Sequence, residues 1–142
     1  MTDQAVPTVV PMLAYENASA AIDFLGAAFG FTERFRLTGD DGRVGHAELA
    51  YGEGVVMVVD FGFGYQGPAR HAETCAAARA WMDNPYVVNG VFVQVEDVRA
   101  HFDRAKAAGA VILSEVEDAG HGTIYRAADP EGQRWMFSQP AS

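Results

Sequence analysis

The chain has 142 residues, 49% of them hydrophobic and 20% charged, with 10 Lys+Arg against 19 Asp+Glu and a single cysteine. That apolar content is enough to bury a core and excludes global disorder, while Cys75 alone supplies neither an internal disulfide nor a thiolate zinc cluster. A net charge of −9 with no basic stripe argues against nucleic acid as a partner. The longest apolar run, Val55 to Val59, falls far short of the ~20 residues that span a bilayer, so no membrane partner is expected. Met1-Thr2-Asp3-Gln4 has no basic region followed by an apolar stretch, so a signal peptide is not expected and the location reads as cytoplasmic.

In chain order, the first strand-like run is Thr8 to Tyr15, ending at Glu16-Asn17. Asn17 is a good helix N-cap, and the Ala-rich amphipathic segment Ala18 to Phe29 that follows stops at Gly30. Three strands are predicted next, Glu33–Thr38, Val44–Tyr51 and Val55–Asp60, with Glu53-Gly54 in the last hairpin turn. The segment Gly62 to Pro85 is aromatic, with Phe61, Phe63, Tyr65, Trp81 and Tyr86 in or beside it, and its middle, Ala69 to Asp83, reads as a helix. A second cycle then begins: a strand from Val87 to Val95, Glu96-Asp97, a helix from Val98 to Ala108, and Gly109. Its three strands are Val111–Val116, Gly122–Ala128 and Gln133–Ser138, with Glu131-Gly132 in the turn.

The two cycles match landmark by landmark. The offset is 80 residues between Glu16 and Glu96, 79 between Gly30 and Gly109, and 78 between Gly54 and Gly132. Such a repeat identifies a duplicated supersecondary unit. The fold class is therefore α+β, two tandem βαβββ modules within 1–142. The first spans about 7–62, a linker helix occupies 63–85, and the second spans about 86–138. Each module leaves one sheet face without a helix, and two such faces side by side are expected to enclose a ligand cleft.

Several motifs compete for a chemical role. Gly62-Phe63-Gly64-Tyr65-Gln66-Gly67 has the G-x-G-x-x-G pattern, but Pro68 delays the helix and the preceding strand is in an antiparallel hairpin, so a linker is the better account. His46-Ala47-Glu48 and His71-Ala72-Glu73 have the H-x-E spacing of zinc deaminases without the required P-C-x-x-C element. His46 and Glu48 share a strand face, either as an acid/base pair in the cleft or as a solvated polar face. His71 and Cys75 are helix neighbours; a Cys–His nucleophile pair would need an orienting third group, and a small buried cysteine is the far commoner account. In the last strand, Trp135 and Phe137 share one face, assigned to the core, and Arg134 and Met136 the other, assigned to the cleft. Arg134 serves either as an anchor for an anionic group or as a partner in an interfacial salt bridge.

Two stretches carry a family resemblance: Gly45-His46-Ala47-Glu48-Leu49 followed by Gly52 to Met57, and Tyr125-Arg126-Ala127-Ala128-Asp129-Pro130-Glu131-Gly132 followed by Trp135-Met136-Phe137. With the paired βαβββ modules, they make the chain resemble the vicinal oxygen chelate (VOC) superfamily over nearly its whole length, in particular the glyoxalase/bleomycin-resistance-like proteins. The resemblance implies metal ligands on the first and last strands of each module, at positions that fall on Val10, Gly90, Val58 and Met136. None of these is His or Glu, and no His, Glu or Asp occurs from Thr8 to Tyr15, Val55 to Val59 or Tyr86 to Val95. The expectation is no metal and no cofactor.

These readings converge on a metal-free protein that binds a small molecule, an antibiotic or a metabolite, as a cytoplasmic homodimer. The expected cleft residues are Met12, His46, Glu48, Phe92, Gln94, Tyr125, Arg134 and Met136, with Tyr65 and Trp81 as lids. The alternative is a lyase, epimerase or dioxygenase in which His46 and Glu48 act as acid/base groups or hold a displaced metal together with His121. A third option, a structural or regulatory dimer, predicts a cleft filled by its own side chains.

Overall fold

A computed structural model of the chain describes residues 6–60, 62–83 and 89–141. The first module comprises β1 (Met12–Ala14), α1 (Ala18–Phe29), β2 (Thr32–Thr38), β3 (Val44–Tyr51) and β4 (Gly54–Val59). Two short helices follow, α2 (Pro68–Thr74) and α3 (Ala76–Met82). The second module comprises β5 (Gly90–Gln94), α4 (Val98–Ala107), β6 (Val111–Asp118), β7 (Gly122–Ala128) and β8 (Arg134–Pro140). Each module forms a four-stranded mixed sheet, in the orders β1-β4-β3-β2 and β5-β8-β7-β6, with one parallel pair and two antiparallel pairs.

The duplicated landmarks perform duplicated local tasks. The Asn17 side chain accepts from the Ala20 N–H at 3.0 Å, and that of Asp97 accepts from the Ala100 N–H at 3.1 Å, each satisfying a free amide at a helix start. Gly30 ends α1 with φ 85°, a conformation open to glycine.

Two elements differ from their sequence reading. The first strand is confined to Met12–Ala14, because Pro7 and Pro11 lack the N–H a ladder needs; Pro11 still accepts from the Met57 N–H at 2.8 Å. The single linker helix is broken at Cys75, whose backbone is extended (φ −133°, ψ 115°) between α2 and α3. Phe61, Tyr86, Val87 and Val88 lie outside the described residues.

The core decides how the modules meet. Val44, Ala47, Leu49, Val56 and Val58 from the first sheet join Val93, Tyr125, Ala127, Trp135 and Phe137 from the second in one buried cluster around α1 and α4. Phe29 sits at its centre with no exposed surface, its ring 4.7 Å from Phe137 and 5.4 Å from Trp135. Burying such a side chain contributes roughly 1.5–3 kcal/mol. The helix-covered faces of both sheets therefore look inward on a shared core, and the uncovered faces turn away from it. This corrects the expectation that the two open faces enclose a cleft within one chain. Among the described residues, no helix is long and apolar enough to cross a membrane.

Candidate functional site

On the uncovered face of the first sheet, cross-strand register lines up Phe35, Glu48, Met57 and Met12, one from each strand. His46 and Leu37 are partners in the next row. Met12 is 61% exposed, and Phe35 and Leu37 are also exposed. His46 Nε2 lies 3.2 Å from Glu48 Oε2, and Arg34 Nε lies 3.4 Å from Glu48 Oε1. The rings of Phe35 and His46 are 5.7 Å apart. The polar trio is thus set into an apolar shelf.

On the uncovered face of the second sheet, Phe92 pairs with Met136, and Gln94 with Ser138. Phe92 is 51% exposed. A groove of about 1160 Å³ runs where the modules meet, with Pro11 and Val55 on one side and Phe92, Gln94, His101 and Arg104 on the other. The uncovered faces hold Met12, His46 and Glu48 in one module and Phe92, Gln94 and Met136 in the other.

Register also revises the positions at which the family resemblance implies metal ligands. Val58 has no exposed surface and faces the core, and Val10 lies outside β1. The equivalent pairs on the uncovered faces are Met12 with Met57 and Phe92 with Met136. Three thioethers and a phenyl ring are a poor donor set for a hard or borderline divalent ion, so these residues do not fit the group. Nor do His46, Glu48 and His121 come together: His46 and Glu48 are on β3, His121 lies in the β6–β7 connection, and no cluster of three ligating side chains occurs among the described residues.

Two further candidates, Tyr125 and Arg134, are placed differently from the sequence reading. Tyr125 has no exposed surface and packs in the core against Phe137, its cross-strand partner; burial raises its hydroxyl pKa. Arg134 is 3% exposed and donates to the Met82 carbonyl at 2.7 Å, so it holds the end of α3, and burial lowers its pKa. Tyr65 stands at the module junction, where burial and the charges of Glu131, Glu16 and Asp129 raise its pKa. Trp81 is 49% exposed on α3.

Two buried arrangements were not foreseen. Asp129, in the Asp-Pro-Glu-Gly turn, accepts from Tyr15 Oη at 2.5 Å, Trp135 Nε1 at 3.2 Å and the N–H groups of Glu131 and Gln133. Burial raises its pKa, and these bonds oppose the rise. Glu131 reaches back to accept from the Glu16 and Asn17 N–H groups at 2.6 and 3.0 Å, while Glu16 accepts from Gly67 N–H and Arg70 Nε, both at 2.8 Å. The turn of the second module is thereby fastened to the β1–α1 junction of the first and to the linker.

The second arrangement is on α4. His101 Nε2 lies 2.8 Å from the Phe29 carbonyl and Nδ1 lies 2.6 Å from Tyr125 Oη. A carbonyl only accepts, so Nε2 carries the hydrogen and Nδ1 accepts from the tyrosine. Burial lowers the His101 pKa, partly offset by the Phe29 bond. Arg104, one turn on, donates to the Ala27 and Gly26 carbonyls at 2.9 and 3.0 Å. Both residues bond carbonyls in the last turn of α1, of which that of Gly26 also accepts from the Gly30 N–H at 3.2 Å. A signal for the module contacts existed only in part: the turn motif was visible, but its partner residues are more than 100 positions away.

Comparison with known proteins accords with this architecture. The family model described as "Glyoxalase/Bleomycin resistance protein/Dioxygenase superfamily" matches residues 7–137. The uncharacterized protein Mb0911c of Mycobacterium bovis is 33% identical over 135 residues, covering 94% of this chain and 84% of the relative. The crystal structure of TioX from Micromonospora sp. ML1 aligns with a TM-score of 0.70 at 32% identity, covering 95% of this chain and 99% of that one. TnmS3, described as an antibiotic binding protein from Streptomyces sp. CB03234, shares the fold with a TM-score of 0.60 at 18% identity, covering 96% and 99%. With its paired βαβββ modules and a family match over nearly all its length, the chain belongs to the Glyoxalase/Bleomycin resistance protein/Dioxygenase superfamily.

Proposed function

We propose that this protein binds a small organic molecule, an antibiotic or a metabolite, without a metal, in a cleft completed by a second copy of the chain. The observation that carries the reading is the pairing of Met12 with Met57 and Phe92 with Met136 on the uncovered faces. Both faces offer soft apolar contact where metal-dependent chemistry needs hard donors. Further large apolar side chains are exposed, Phe35 and Leu37 on β2 of the first sheet and Val111 on β6 of the second. Because the two faces turn outward from one core, a first-module face of one copy set against a second-module face of another forms the cleft, and two-fold symmetry forms it twice. The description of TnmS3 as an antibiotic binding protein supports the ligand class by fold alone.

A ligand-shift screen with a compound panel that includes cationic antibiotics tests the binding. A bound compound at 100 times its Kd raises stability by about 2.7 kcal/mol, a readily measured shift in Tm. Failure of the whole panel to move Tm removes the support for sequestration. Sedimentation of the wild type and of Met12→Glu tests the assembly, with a dimer expected for the first and a monomer for the second.

A second reading has its own observation: His46 and Glu48 are joined at 3.2 Å on the uncovered face, a geometry fit for acid/base chemistry on a bound molecule. Turnover of any panel compound that disappears in His46→Gln would favour a lyase, epimerase or dioxygenase over a binder.

A further inference from the structure

The uncovered face of the first sheet carries more chemical information than apolarity. Glu48 is held from two sides, by His46 Nε2 at 3.2 Å and Arg34 Nε at 3.4 Å. A carboxylate oxygen only accepts, so when the imidazole is neutral its Nε2 carries the hydrogen and Nδ1 is left with a lone pair. No partner of Nδ1 is found among the described residues. The Phe35 ring, 5.7 Å away, walls the imidazole on one side.

The shelf beside this acceptor has a definite size. The row Phe35, Glu48, Met57, Met12 crosses four strands, about 14 Å at the usual strand spacing. Met57 pairs with Glu48, so His46 is its diagonal neighbour, roughly 7–8 Å away between Cα atoms. A flat ring system lying over the Met12 and Met57 thioethers therefore brings its edge to His46. Sulfur–aromatic contact favours such a ring, and the acceptor favours an edge that bears a donor.

We propose that this face takes a planar molecule of two or three fused aromatic rings carrying a phenol-type O–H, which donates to His46 Nδ1. The assignment rests on the binding function proposed above and narrows its ligand class. Glu48 is a positioning residue: it fixes which imidazole nitrogen carries the hydrogen. No bond is made or broken.

The test uses 2-naphthol and 2-methoxynaphthalene, titrated by fluorescence into the intact protein at pH 8, where naphthol is un-ionised. Wild type is expected to bind naphthol about tenfold more tightly than the ether, the contribution of one hydrogen bond to a pre-oriented acceptor. His46→Phe is expected to bring the ratio to about one while keeping affinity for the ether. Glu48→Gln, in which the imidazole is no longer held to one tautomer, is expected to reduce the ratio several-fold at unchanged Tm. A wild-type ratio near one, or a ratio that survives His46→Phe, overturns the proposal. Binding of the ether that is lost in Met12→Glu then leaves the small-molecule reading standing. If neither naphthalene binds, the ring class itself is wrong, and the wider panel decides the broader reading separately.

Discussion

Replacing Asp129 by alanine tests whether the Asp-Pro-Glu-Gly turn fastens the modules together. The substitution leaves Tyr15 Oη and Trp135 Nε1, two donors on side chains with 1% exposed surface, without their acceptor. Each buried unmet donor costs about 1–3 kcal/mol. Removing a carboxylate that burial already disfavours returns part of this, so the net loss is about 3 kcal/mol. At about 2.1 cal/mol/K per residue, a chain of 142 residues has an unfolding entropy near 0.3 kcal/mol/K, so Tm falls by about 10 °C. Tyr15→Phe removes one donor and leaves Asp129 with three, for a loss of about 1.5 kcal/mol and ~5 °C. Thermal unfolding followed by near-ultraviolet circular dichroism reads both the midpoint and the packing of Tyr15 and Trp135. A drop of less than about 3 °C in Asp129→Ala, with an unchanged aromatic signal, would refute the reasoning.

The remaining predictions concern the contacts around this turn and the helix pair. His101 has a folded-state pKa below the ordinary 6.5, so its contribution to stability is present above pH 6.5 and is lost as pH falls from there toward the folded value. Asp129 and Glu131, whose pKa values are raised, act in the opposite direction, adding stability as pH falls through their folded values. His101→Gln keeps both the donor to Phe29 and the acceptor for Tyr125, so urea midpoints compared between pH 7 and 5 should show a decline below pH 6.5 in wild type relative to the variant. Parallel curves would remove His101 as the cause. Gly132 has φ 94°, and a Cβ there would lie 2.6 Å from the Ala69 nitrogen. Gly132→Ala is expected to cost at least ~2 kcal/mol and to speed limited proteolysis between Gly62 and Pro68, because the start of α2 must leave the turn. Unchanged cleavage would mean that the linker is not held there.

The repeat and both helices that cover the sheets were legible, because duplicated caps and glycines leave local marks in the chain. The placement of Tyr125 was legible too, had the register been counted. The hairpin around Asp129 to Gln133 sets Tyr125 opposite Phe137, and paired residues share a face, so a core Phe137 implies a core Tyr125. Trp135 and Phe137 were read correctly from alternation alone. What alternation cannot convey is which way two sheets turn when they meet. Val44, Leu49, Trp135 and Phe137 look alike as core residues whether their sheets share one core or keep two, and that choice sent the open faces outward. The Arg134 guanidinium likewise had an apolar face as its address but a helix carbonyl as its partner, 52 residues earlier in the chain.

The shared core also separates two kinds of inheritance. Phe29, Trp135 and Phe137 are fixed by one another's shapes, and a change at any of them is felt throughout the packing. Met12, Phe35, Leu37 and Phe92 are held far less closely; each is 47–61% exposed. Substitutions at such exposed positions commonly change folding stability by less than ~0.5 kcal/mol, so under the proposed function they would alter what the faces hold without costing the fold. On that proposal, a lineage built this way exchanges one guest for another by single steps, each of them a well-folded protein.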